Sequence, residues 1–207
     1  MSGRSNNDRQ SLRRQETKAE IIAAAWELAR EEGLTGLAMR DLGAKVGMRA
    51  QSLYSYFSSK HEIYDAMFLE GYVAFADLVE TTSAEAAGNR DPDALMKHVA
   101  REFVAFCTGD PARYQLLFQR TVPGFEPSPE SWAIALDAYE RSRESLSTAG
   151  ITDQATFDLW TALVTGLAGQ QIANDPGGDR WEQLVDRAVD MFRAHVSAVA
   201  TAESEQS

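Results

Sequence analysis

This 207-residue chain has little cysteine or histidine: a single cysteine, Cys107, and three histidines, His61, His98 and His195. One cysteine excludes an internal disulfide, and its neighbours Phe103, Val104 and Phe106 make it a small buried hydrophobe rather than a redox sensor. No histidine has a second ligand at metal spacing, so no metal site is expected. A Gly-x-Ser-x-Gly elbow is missing, as is any strand to hold one. Phosphate-cradling glycine loops are missing too, because Asp175-Pro176-Gly177-Gly178-Asp179 places acids where a phosphate needs donors. These absences argue against an enzyme, and neither catalytic residues nor a cofactor is expected. No apolar run reaches eighteen residues, and the opening MSGRSNNDRQSLRRQ is polar throughout. Neither a membrane span nor a secretory segment is therefore expected, and the reading is a cytoplasmic protein.

Acid is scarce in one place only. The net charge is −11, which taken over the whole chain opposes a polyanionic partner. Split along the chain, however, residues 1–60 carry +3 and residues 61–207 carry −14. No Asp or Glu stands between Gly43 and Lys60. A basic N-terminal module can neutralise phosphates while the acidic remainder is kept off them, which confines binding to one end of the molecule. A hydrophobic content of 44% is ample for a core over the rest.

The acid-free stretch lies within Leu37 to Phe68, LAMRDLGAKVGMRAQSLYSYFSSKHEIYDAMF, where two short helical patterns flank a glycine turn. The first sets Leu37, Leu42 and Val46 on one side. Ala38 and Gly43 are small enough for close helix approach, and Gly47 supplies the permissive turn. The second pattern points Leu53 and Phe57 inward and leaves Gln51, Ser52, Tyr54, Ser55 and Tyr56 around the outside. Ser59 and Glu62, three apart, match a capping box that starts a third helix near Lys60. This spacing is a helix-turn-helix. In it Arg40 and Arg49 can donate to phosphate or to guanine, and Gln51 and Ser52 occupy the first turn of the reading helix. Tyr54 and Tyr56 can reach phosphates through their hydroxyls, with Tyr56 alternatively a core residue. Lys45 and Lys60 add charge, the latter beside the free N–H groups of a helix start.

Gly47, Leu53-Tyr54-Ser55-Tyr56-Phe57 and Lys60 stand at spacings that resemble the TetR/AcrR family of transcriptional repressors, over about Thr17 to Phe68. The chain departs from the family at Arg49, where a Ser or Thr usually caps the recognition helix; the loss is about 1 kcal/mol. The resemblance implies an all-α fold of about nine helices, with an N-terminal three-helix helix-turn-helix domain and a C-terminal helical domain for ligand binding and dimerisation. It implies DNA contacts from Tyr54, Lys60 and the recognition helix, Ser55 included, on double-stranded operator DNA. Repression relieved by a ligand is the family's default.

The remaining chain fits that outline. Residues 1–14, with Arg4, Arg9, Arg13 and Arg14 against Asp8, read as a flexible basic arm, which either follows the DNA backbone or is simply an unstructured terminus. Gln15 to Glu32 is a helix ended by Gly33. Trp26 completes the small core of the domain at 15–60. A long helix from Lys60 loses its pattern in Thr81-Thr82-Ser83, and Ala86-Ala87-Gly88-Asn89-Arg90 is a loop. Asp91-Pro92, Asp110-Pro111 and Ser128-Pro129 each pair an N-cap with a first-turn proline. Val122 to Pro127 is an irregular apolar loop that could cover a cavity. Thr152 or Asp153 starts a further helix, and Asp179 with Glu182 caps the last one, whose apolar stripe runs to Val199. These two final helices either close the monomer core or form a four-helix homodimer interface; the family resemblance favours the dimer. Residues 61–200 would then be the effector and dimerisation domain, and 201–207 a disordered tail.

Phe103, Phe106, Tyr114, Phe118, Trp132, Tyr139 and Trp160 are more aromatic bulk than a minimal core needs, although such stripes usually are core. The family resemblance implies that these residues line a pocket for a small apolar effector, lipid or fatty-acyl in type, with Arg101, Arg113 or Arg120 for an anionic head group. Two alternatives stand beside this: a DNA-binding regulator without an effector, and a helical small-molecule-binding or enzymatic domain that uses the motif as scaffold.

Overall fold

The computed structural model describes residues 2–86 and 91–205. Among them are nine α-helices, in agreement with the all-α expectation. They are α1 Ser2–Glu32, α2 Met39–Lys45, α3 Ala50–Leu53, α4 Lys60–Ala86, α5 Pro92–Thr108, α6 Pro111–Phe118, α7 Pro129–Ser147, α8 Gln154–Asn174 and α9 Val185–Glu205, with 3₁₀ turns at Leu34–Gly36 and Glu182–Leu184. No described helix is long and apolar enough to cross a membrane.

The chain divides into two compact units, Met1–Gly71 with Ala112–Ala133, and Tyr72–Pro111 with Ile134–Ser207. This differs from a boundary at residue 60. The first turns of α4 bury Ile63, Tyr64, Met67 and Phe68 in the first unit. There α4 also meets α6 closely, for a Cβ at Gly71 would lie 3.0 Å from a Leu117 methyl. Ile21, Ala25, Trp26, Leu42, Leu53 and Phe57 complete that core. In the second unit α5 packs on α8 and α9, burying Met96, Val104, Phe157, Trp160 and Val189. Cys107 is buried there as a small hydrophobe. Lys97 to Asp190 and Arg193 to Asp93, both at 2.5 Å, pin α5 to α9 along their polar edges.

Local chemistry sets most helix starts as expected. Asp91 caps α5 by accepting from the Asp93 N–H at 3.0 Å, and Asp153 caps α8 by accepting from Thr156 N–H at 2.9 Å. Ser128 accepts from the Ser131 N–H at 3.2 Å at the head of α7. The last helix differs. Asp179 does not cap it; instead buried Gln171 accepts from the Trp181 N–H at 2.8 Å, and Asp175 accepts from Arg180 N–H at 2.9 Å. These contacts hold the turn that leads through Glu182–Leu184 into α9, whose lead-in residue Trp181 has no side-chain cap of its own, a tie from the preceding helix that residue spacing could not reveal.

Three further expectations change. The segment read as a flexible arm, 1–14, is helical from Ser2. Once the α1 core has nucleated a helix, each added residue needs only one more hydrogen bond, and no proline interrupts 2–14. Helix α4 continues through Thr81-Thr82-Ser83, with the Thr81 and Thr82 hydroxyls donating within the helix to the carbonyls of Asp77 and Leu78 at 2.8 and 2.9 Å instead of competing for a turn. The tail expected at 201–207 is helical through Glu205. The loop residues Ala87-Gly88-Asn89-Arg90, and Gln206 and Ser207, lie outside the described residues.

Candidate nucleic-acid interface

The module is built around a turn that leaves no room. α2 ends at Lys45, Gly47 takes φ +68°, and the Met48 N–H donates back to the Gly43 carbonyl at 2.8 Å. Arg49 stands at the N-cap of α3 without a side-chain cap, so that its carbonyl alone accepts from the Ser52 N–H at 2.8 Å. Only Ala50–Leu53 is α-helix. The reading element then tightens, with Ser55 N–H to Ser52 carbonyl at 3.2 Å and Tyr56 N–H to Leu53 carbonyl at 2.9 Å, the three-residue pattern common at helix ends.

Leu53 and Phe57 point inward, as expected. Outward lie Gln51, Ser52, Tyr54 and Ser55, with Tyr54 46% exposed. Arg49 is exposed as well. Arg40, on α2, is exposed and leans on neighbouring Asp41 at 3.0 Å. Tyr56 is half-buried under the Arg14 guanidinium, which lies 5.1 Å from its ring centre and donates to the Ser55 carbonyl. Lys60 is half-buried and its Nζ lies 5.3 Å from the centre of the Tyr64 ring. Partial burial lowers its pKa from the ordinary lysine value.

One expected cation is already engaged. Lys45 bridges Glu27 at 3.1 Å and Glu31 at 3.0 Å on α1, and the two carboxylates raise its pKa. Its charge is matched within the protein. Sequence reading missed the reverse case, Arg14 and Lys18, which sit one turn apart on α1 and grip the reading element; Lys18 Nζ is 4.9 Å from the Phe57 ring centre. Their i,i+4 spacing was the available signal.

The start of α4 is fixed twice over. Ser59 accepts from the Glu62 N–H at 3.2 Å, as the capping box requires. The Glu62 carboxylate reaches one residue further back than expected, accepting from the Ser58 N–H at 2.7 Å, and the Ser58 contacts hold its pKa below the usual carboxylate value. Tyr64 then donates to the Leu34 carbonyl, tying α4 to the turn before α2. The apolar loop after α6 lands on the same stretch: Phe125 packs 5.8 Å from Tyr64 and 6.1 Å from Phe68, and Asp65 accepts from the Ser128 N–H at 2.7 Å.

Burial pushes the Tyr64 phenol up to about 12, and burial with Cys107 nearby does the same to Tyr72. An unfolded tyrosine ionises near 10. Their contribution to stability is therefore complete below pH ~10 and is lost as pH rises towards ~12, since only the unfolded chain releases the protons in that window. Urea unfolding should lose about 1.4 kcal/mol per pH unit for each phenol there. In a Tyr64→Phe protein that slope should fall by one phenol's share, and an unchanged slope would contradict the assignment.

The expected effector aromatics fall into both units. Phe103 and Phe106 pack on Phe75 at 5.9 and 5.6 Å, Tyr139 on Phe157 at 5.1 Å and Trp160 on Phe192 at 5.6 Å in the second. Tyr114 pairs with Phe118 at 6.1 Å, and Trp132 stacks on Phe68 at 6.5 Å, in the first. A cleft of about 310 Å³ in the second unit is lined by none of them; Thr108, Gln171, Ile172, Gly177 and Glu182 are among its walls. Of the three arginines considered for a head group, Arg101 donates to Asp186 at 2.7 Å and holds that carboxyl below its usual range.

Residues 21–67 match the model for bacterial regulatory proteins of the tetR family. The HTH-type transcriptional repressor DrrR1 of Streptomyces coeruleorubidus is 31% identical over 157 residues, covering 73% of this chain and 52% of the relative. The chain spans about half to three fifths of the length of the curated relatives it matches. Among solved structures, AibR in complex with isovaleryl coenzyme A and operator DNA superposes with a TM-score of 0.64 at 18% identity, covering 84% of this chain and 96% of the other. FadR from Bacillus subtilis in complex with stearoyl-CoA gives 0.62 at 16%, with coverage of 84% and 96%. At these identities the two share the fold.

Proposed function

The chain belongs to the tetR family of bacterial regulatory proteins, and on that premise we propose that it is a transcriptional repressor which binds a palindromic operator as a homodimer and is released by a small hydrophobic effector. The observation that carries the DNA-binding reading is the outward face of the recognition turn. Gln51, Ser52, Tyr54 and Ser55 are exposed together, no acid lies between Gly43 and Lys60, and Arg40 and Arg49 flank them. Gln51 and Ser52 read base edges in the major groove, while Arg40, Arg49, Tyr54 and Lys60 hold phosphates. Tyr56 acts indirectly, as the surface on which Arg14 rests.

The first unit, Met1–Gly71 with Ala112–Ala133, carries the DNA-contacting module, and the second, Tyr72–Pro111 with Ile134–Ser207, serves dimerisation and the effector. The dimer is assigned to the outward faces of α8 and α9, where Leu159 and Met191 are 53% and 67% exposed. Two copies related by a two-fold axis present their recognition turns to successive major grooves about 34 Å apart. The effector is assigned to the aromatics of the second unit, Phe103, Phe106, Tyr139 and Trp160. An acyl-type ligand is supported by the acyl-CoA molecules bound to AibR and FadR. A ligand preferring a different spacing of the recognition turns lowers operator affinity by its differential binding energy.

Selecting genomic fragments on the purified protein tests the reading. Palindromic fragments are expected, with affinity falling steeply as salt rises. Tyr54→Ala should weaken operator binding about tenfold, one modest hydrogen bond lost in each subunit, with the melting temperature unchanged. Selection of no fragment would favour a helical small-molecule domain using the motif as scaffold. Operator binding that no acyl-CoA or fatty acid relieves would favour a regulator without an effector.

A further inference from the structure

Helix α1 reaches further than the three-helix module requires. Going back along it, Glu27 and Glu31 hold Lys45, Lys18 covers Phe57, and Arg14 reaches the carbonyl of Ser55 in the recognition turn. The helix then continues back to Ser2. Residues 8–16 are all exposed. By composition, 8–14 holds three arginines, Arg9, Arg13 and Arg14, and one acid, Asp8, and the one large apolar side chain, Leu12, is 56% exposed. A stretch of this composition is poorly made to pack against protein.

At 1.5 Å per residue, residues 2–13 extend α1 by about 18 Å. The major groove is about 12 Å wide. A helix leaving the recognition turn from inside that groove is therefore long enough to meet the sugar-phosphate strand that bounds it. Arg9 and Arg13, four apart, lie on one side of the helix. We propose that the N-terminal part of α1 is a second DNA-contacting element, a rigid basic rail along the phosphate backbone flanking the site read by the recognition turn. This rests on the DNA-binding reading above. Such contacts position the protein and carry no sequence information.

The test uses the full chain with both arginines replaced, Arg9→Ala and Arg13→Ala together, against wild type and a control, Arg141→Ala, in the second unit. Binding to the selected operator and to a scrambled duplex is followed by fluorescence anisotropy between about 50 and 200 mM salt. Each phosphate contact contributes close to 0.9 to the slope of log K against log salt, and the dimer carries two copies of each arginine, so the double variant should lose about 3.6 from it. Its affinity should fall by the same factor on both duplexes, while Arg141→Ala keeps the wild-type slope and circular dichroism shows no loss of helix. An unchanged slope, a loss confined to the operator, or a lowered melting temperature with DNA binding intact would each overturn the rail. Wild-type protein without salt-dependent affinity for any duplex would instead overturn the DNA-binding reading on which it rests.

Discussion

Met191→Asp is expected to leave a folded protein that has lost its dimer and, with it, operator affinity by a factor of roughly 10²–10⁴, the usual gain from joining two binding modules. Met191 is 67% exposed in the single chain, so a carboxylate there costs the monomer little, within about 0.5 kcal/mol. In the proposed dimer it sits on a face with Leu184, and next to it α8 presents Ala155, Leu159, Ala162 and Gly166 at spacings of four, three and four. Gly166 has nothing within 4 Å of where a Cβ would be, so a second helix can come close to the α8 backbone. Burying two symmetry-related carboxylates there, unpaired, is the most costly single change the face can suffer. Leu159→Asp, on the other helix, should do the same. Light scattering gives the mass and anisotropy gives the affinity. A Met191→Asp protein that remains dimeric would remove α9 from the interface, and one that is monomeric yet binds the operator as tightly as wild type would remove the need for a dimer.

The face just described shows how sequence and structure divided the work. The α9 stripe was legible because one side of a helix repeats every three or four residues, and that pattern does not depend on what it meets. Asp91-Pro92, Asp110-Pro111 and Ser128-Pro129 were legible for the same reason: a cap and its proline act within one turn. The helix-turn-helix residues were legible through their spacing, down to the inward Leu53 and Phe57. What stayed hidden depends on partners far along the chain. Lys45 reads as a free cation until Glu27 and Glu31 are folded against it. Phe125 reads as part of an apolar loop until it lands on Tyr64 and Phe68, which draws the start of α4 and the loop after α6 into one unit and moves the boundary from residue 60 to Gly71. The seven aromatics read as one lining because helical spacing marks a buried side without saying which neighbour buries it. The basic arm failed by the opposite error, since its polar composition hid a helix that the folded α1 core can extend.

Gly43→Ala should destabilise the protein by about 1–2 kcal/mol and displace the recognition turn, although helix propensity alone would favour alanine in α2 by about 1 kcal/mol. The two effects compete, and distance decides between them. A Cβ at position 43 would stand 2.8 Å from the Met48 carbonyl oxygen and 3.1 Å from the Ala50 nitrogen. Both are backbone atoms, so no side chain can rotate away. The Met48 N–H is itself bonded to the Gly43 carbonyl at 2.8 Å, which stops the turn from yielding without breaking that bond. Overpacking of this kind costs about 1–3 kcal/mol, and contact with fixed backbone belongs at the upper end, more than the propensity gain. Relief can come only from moving α3 away from α2, which carries Gln51, Ser52 and Tyr54 off their positions. Operator affinity should therefore fall even at temperatures where the variant is fully folded, and more than its affinity for scrambled duplex. Thermal unfolding and paired anisotropy titrations measure the two parts separately. A Gly43→Ala protein that melts at or above the wild-type temperature and binds the operator unchanged would mean that helix propensity wins, and that the close approach of α2 and the turn is not what sets the recognition geometry.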